Sequence, residues 1–208
     1  MPAPGAKHGW KTNKDKRKKK DCKEAQKEIE KDNEEGVEQG NAHVELRWDE
    51  GEVKTTKGDD GRYTSSGKIS YRFDERKSHV TTREYSWNNM SEADKKAAGQ
   101  YNQGMKDHEQ GHMQVAEQYV KDYPSEQVTG EPADTPERAR ENYEKAREES
   151  WKEYQEGHKE RQEKYNEATD RGAAQSKGPE TKDEKGNKFP GGKDAKLDCP
   201  PAAGGGGG

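Results

Sequence analysis

Residues 91–124, SEADKKAAGQYNQGMKDHEQGHMQVAEQYVKDYP, read as one long helix. Ser91 is an N-cap and Asp94, three residues on, is a short capping-box acid. Apolar residues recur at Ala97, Tyr101, Met105, Val115, Tyr119 and Tyr123, and His108 and His112 continue that stripe at steps of three and four. Pro124 ends the pattern. The stripe predicts that both imidazoles face the interior.

Two His four residues apart project from one helix face about one turn apart, so they can close on a single Zn²⁺. Glu109 lies one step round the helix, where a carboxylate can hold and deprotonate water. His108-Glu109-Gln110-Gly111-His112 is thus an HExxH motif, with Glu109 as catalytic base and His108 and His112 as metal ligands.

Composition limits what can surround that helix. Hydrophobic residues make up 24% and charged residues 39% of 208, with two Leu, two Ile, seven Val and two Phe. Mean hydropathy is -1.71. A core must be built from nine Tyr, four Trp, Met and Ala. Buried Tyr and Trp each require a hydrogen-bond partner, so the expected core is small. The net charge of -4 gives no overall bias toward nucleic acid or acidic membrane.

Upstream of the helix the hydrophobic period changes to two. Val44, Leu46 and Trp48 alternate with charged residues, Ile69, Tyr71 and Phe73 with Ser70 and Arg72, and residues 80–87 are β-branched and aromatic. These segments predict three half-buried antiparallel strands, with turns at residues 59–61 and 74–77. Downstream, residues 123–134 read as a loop. Thr135-Pro136-Glu137 opens a second long helix whose stripe runs Ala139, Tyr143, Ala146, Ser150, Trp151, Tyr154, His158, Tyr165 and Thr169, with Gly172 as C-cap.

The fold class expected is α+β: a small antiparallel sheet of about three strands, the HExxH helix, and a second long helix. Residues 1–41 read as a charged, largely disordered arm, basic from Lys7 to Lys23 and acidic from Glu28 to Glu38, with a short helix an option around Cys22–Asn33. Residues 42–175 form the folded domain, and residues 176–208 are a Gly-, Lys- and Pro-rich low-complexity tail. The arm carries no interleaved aromatics, which argues against nucleic acid as a partner. Cys22 and Cys199 both fall in the expected tails and predict free thiols. No apolar run spans a membrane, and the basic N-terminus lacks a signal-peptide segment, so the default location is cytoplasmic.

The segment from Trp87 to Gln175 resembles a bacterial family of predicted secreted zinc-dependent proteases, the domain of unknown function 922. The likeness rests on Trp87 and Ser91, on the aromatic-led helix entering the HExxH motif, and on Arg161-Gln162 followed by Tyr165-Asn166-Glu167-Ala168-Thr169-Asp170-Arg171-Gly172. It implies a zincin-like metallopeptidase domain, a Zn²⁺ cofactor, a peptide or protein substrate, and secretion by a non-classical route. Where the family carries an Asp after the late aromatic and a His near the end of that helix, this chain has Asn166 and Asp170-Arg171.

The third ligand stays open between two residues. His158 has the right helical phase, and Asp170 lies near the family's His. A complete site would hydrolyse peptide bonds through a Zn-activated water with Glu109 as general base, Tyr154 or Tyr165 supplying an oxyanion donor, and the strand ending at Trp87 receiving extended substrate. The alternative is a non-catalytic, zinc-stabilised or metal-free protein-binding module on the same scaffold.

Overall fold

The computed structural model describes residues 10–35, 37, 39–169 and 195–201. The order is β1 (Lys11–Lys19), α1 (Cys22–Glu34), β2 (Gly40–His43), β3 (Leu46–Lys57), β4 (Tyr63–Phe73), β5 (His79–Trp87), α2 (Glu92–Asp122), β6 (Ser125–Thr129) and α3 (Pro136–Ala168). The class is α+β. Among the described residues the strands form two three-stranded sheets, and the chain divides into two compact units. A single folded domain over 42–175 was the expectation; each unit instead draws on separated stretches of the chain.

The first unit takes Met1–Val44, Glu75–Gln114 and Lys164–Gly208. Its sheet has the order β1-β5-β2, with β5 in the centre. β1 runs parallel to β5 from Lys11↔His79 to Lys19↔Trp87, and β2 runs antiparallel from Gly40↔Thr82 to His43↔His79. The core joins Tyr85 and Trp87 of β5 to Cys22, Ala25 and Ile29 of α1 and to Ala97, Ala98, Tyr101 and Met105 of α2. Tyr85 meets Tyr101 edge-on, with centroids 5.7 Å apart.

Two expectations are corrected in this unit. Lys11–Lys19 is not part of a disordered arm but an edge strand, while the short helix offered around Cys22–Asn33 does form, over Cys22–Glu34. Edge strands tolerate Lys-rich sequences because backbone pairing on one side holds them and charge repels a further strand. Here the charges also find partners, with Lys14 Nζ 2.6 Å from Glu84 and Arg17 2.7 Å from Asp15. Second, Cys22 and Cys199 are not free thiols; they form a disulfide across 177 residues of sequence. Residues 195–201, expected in the tail, supply Leu197, which is 4% exposed, and Ala195 and Cys199 pack on the same core.

The second unit takes Glu45–Asp74 and Val115–Glu163. Its sheet, β3-β4-β6, is antiparallel throughout. β3 and β4 form the expected hairpin through the turn at residues 59–61. The third expected strand, β5, pairs in the other sheet. β6 takes its place from a segment that reads as loop, because Val128 is its one buried residue and the strand is held through its backbone. The core is aromatic. Tyr71 stacks on Tyr154 at 3.7 Å, Trp151 stacks on Tyr154 at 5.8 Å, and Tyr119, Tyr143 and Ile69 complete it.

A tyrosine core has to place its hydroxyls. Tyr85 donates to Gln39 at 2.8 Å, Tyr119 to the Tyr154 carbonyl at 3.1 Å, Tyr143 to Glu50 at 3.0 Å, and Tyr71 bonds Glu126 and Ser150. Among the described residues, the buried hydroxyls of Tyr101 and Tyr154 find no such partner.

The expected helix starts are met. The Asp94 N–H donates to Ser91 Oγ at 3.1 Å, and the Ser91 N–H donates to Asp94 at 3.0 Å, closing the capping box. The Arg138 N–H donates to Thr135 Oγ1 at 3.2 Å, with Pro136 as the first residue of α3. Gly172, the expected C-cap, lies outside the described residues.

Candidate functional site

The HExxH motif lies in the first unit, where α2, the last turn of α3 and β2 supply its surroundings. His108 and Glu109 are each 4% exposed, and His112 is half-buried. The two imidazole centroids are 4.8 Å apart, with their planes at 80°. Tyr165 fits between them and α3. Its ring stacks on His108 at 5.2 Å and meets His112 edge-on at 4.8 Å. Its hydroxyl donates to the His108 carbonyl at 3.2 Å. Thr169 Oγ1 lies 3.4 Å from His108 Nδ1 and donates its proton to the Tyr165 carbonyl at 2.8 Å. That leaves the Thr169 oxygen as acceptor for His108 Nδ1–H, which selects the tautomer with its lone pair on Nε2.

Two glycines make this packing possible. A Cβ at Gly111, inside the motif, would overlap the Tyr165 hydroxyl. A Cβ at Gly40 of β2 would sit 2.7 Å from the Glu109 carboxyl carbon. Gly111→Ala is therefore expected to destabilise by about 1–3 kcal/mol through overpacking, against a gain in helix propensity of about 1 kcal/mol. Urea unfolding checks this. A more stable Gly111→Ala would mean that Tyr165 does not pack on α2.

Burial, then the neighbouring His112, hold the His108 imidazole down to about 3, while a hydrogen bond that the imidazole donates to the Asn166 side chain opposes the shift. His108 is neutral at pH 7, the state in which imidazole binds a metal. Tyr165 is pushed up, first by burial and then by the negative charges of Glu109 and Asp107, so its hydroxyl stays protonated. Between the ordinary His value of 6.5 and about 3, the unfolded chain binds a proton at position 108 that the folded chain does not. Stability of metal-free protein should then fall as pH drops through that window, and be fully present above it. Melting temperatures of chelator-treated protein from pH 7 to 4 should show this slope, and His108→Leu should flatten it. Equal slopes would contradict the burial of His108.

Zinc–nitrogen bonds of about 2.0–2.1 Å place two tetrahedrally bound imidazole centroids about 5 Å apart. The separation of 4.8 Å between His108 and His112 fits such a pair. A third ligand is not supplied: among the described residues no group of three or more His, Cys, Asp or Glu could hold a metal ion. His158 sits in the second unit, with its Nε2 2.8 Å from Gln162 and its ring 5.6 Å from Tyr119. Asp170, the other expected ligand, lies outside the described residues.

Comparison with family models, with curated proteins and with solved structures finds no match to this chain.

Two further expectations change. Tyr165 is at the motif but its proton is committed to the His108 carbonyl, which makes it a positioning residue; Tyr154 belongs to the second unit. The strand ending at Trp87 pairs with β1 along its whole length and with β2 over His79–Thr82, and beyond β2 the Tyr85 N–H donates to Asn102 Oδ1 at 3.1 Å, so its second edge is taken up as far as Tyr85. The edge strand next to Glu109 is β2, and its Gly40 also lines a hollow of about 180 Å³ with Asp15, Gln39, Asn41, Thr81 and Arg83. Sequence pattern missed β2 because Gly40-Asn41-Ala42-His43 has no alternation of apolar residues.

Proposed function

We propose that the chain is a zinc-dependent peptidase in which His108 and His112 hold the metal and Glu109 is the general base. The observation that carries this is the buried Glu109, 4% exposed, beside two imidazoles with chelating separation. Burying a carboxylate is costly, and such groups concentrate at functional sites. Bound zinc would supply Lewis-acid activation of a carbonyl and of water. Glu109 would take a proton from the attacking water and return it to the leaving amine. Thr169 and Tyr165 would orient His108, and β2 offers an edge for an extended peptide.

The Cys22–Cys199 disulfide is the chemistry of an oxidising compartment, which favours secretion over the cytoplasmic default. Among the described residues no helix is long and apolar enough to cross a membrane.

One observation favours a second reading: the described residues hold no third ligand. On that reading the same His pair binds zinc in a non-catalytic protein-binding module. Incubating zinc-loaded protein with an unfolded protein substrate and sequencing new N-termini by mass spectrometry separates the two. New termini that vanish with chelator support the peptidase. Zinc binding with no new termini supports the module.

A further inference from the structure

We infer that His43 and His79 form a second binding site for a divalent transition metal, separate from the HExxH motif. The β2–β5 register sets His43 directly opposite His79 at the end of the ladder. Directly opposed residues hold their Cβ atoms about 4.5–5.5 Å apart and on the same face of the sheet. The two imidazole centroids are 4.9 Å apart, the separation expected of two imidazoles sharing one tetrahedral ion, about 5 Å. His79 Nδ1 lies 3.3 Å from the Lys77 carbonyl oxygen. A carbonyl only accepts, so Nδ1 carries the proton and Nε2 keeps its lone pair, the arrangement in which a backbone carbonyl orients a metal-binding His.

His43 is exposed and His79 half-buried, so the pair is open to an ion from solution. No third His, Cys, Asp or Glu among the described residues completes the set. Water or an outside donor fills the remaining positions here as at the HExxH pair, and the exposed His43 side chain must be ordered on binding whereas His108 is 4% exposed, which makes this the weaker of the two metal sites. Imidazole pairs take borderline ions such as Zn²⁺, Ni²⁺ and Cu²⁺ in preference to Mg²⁺ or Ca²⁺.

Nickel titration calorimetry on the metal-stripped full chain tests the site, with His43→Gln and His79→Gln alongside. Both positions lie outside the two cores, so each variant should melt like the wild type. Each variant should lose the same binding step, weakened by at least about tenfold. Any step due to His108 and His112 would persist in both, which keeps the two sites distinguishable. Wild-type isotherms in both variants, loss in only one of them, or no nickel uptake by the wild type would each overturn the paired site.

Discussion

Glu109→Gln should leave zinc binding intact and lower peptide hydrolysis by about 10²–10⁴-fold, the usual contribution of a general base. Gln matches Glu in shape, so it keeps the packing against Gly40 while removing the basic oxygen. With the side-chain shape kept, the variant should melt close to the wild-type temperature. Parallel measurement of kcat/KM, zinc content and melting temperature checks all three. Undiminished hydrolysis with retained zinc would remove Glu109 from the chemistry.

Loss of the disulfide is the second large effect. Closing a loop of 177 residues restricts the unfolded chain strongly, and Cys22→Ser or Cys199→Ser should cost about 2–5 kcal/mol. The bond also pins residues 195–201, whose Leu197 is buried among Trp87, Met105 and their neighbours. Denaturant unfolding with and without reductant measures the effect, and the double variant should be insensitive to reductant. Equal stability of oxidised and reduced wild type would show that the C-terminal segment does not hold the first unit together.

The two long helices were legible because period and punctuation agree. The stripe from Ala97 to Tyr119 is the buried face of α2, and Ser91, Thr135 and Pro136 act where their chemistry places them. The β3–β4 hairpin was legible for the same reason. β1 and β6 were not, since edge strands made of Lys, Asp, Ser, Glu and Gln carry almost no apolar signal and depend on a partner strand distant in sequence. Nor was the destination of β5. Its Val80, Thr82, Tyr85 and Trp87 announce burial without saying which strands lie beside it. The disulfide left no local trace at either cysteine.

At the candidate site, the stripe of α2 marked His108 as buried, and the stripe of α3 marked Tyr165 and Thr169 as buried. Phase also marked His158, yet phase reports only which side of a helix is apolar. Along α3, His158 faces Tyr119 in the second unit, whereas Tyr165 and Thr169 face His108 in the first. Gly111 and Gly40 gave no warning of their roles, because a close approach by Tyr165 or Glu109 is visible only once the chain is folded.

The central claim is that His108 and His112 hold zinc on α2. Metal analysis of the full chain, stripped with chelator, reconstituted with zinc and dialysed to leave only tightly held ion, tests it directly. The wild type should retain about one zinc per chain and melt at a higher temperature than the stripped form. His112→Ala, at a half-buried position that spares the core, should retain none and show no response to zinc. A wild-type chain that keeps no zinc, with a melting temperature indifferent to both zinc and chelator, would contradict the account.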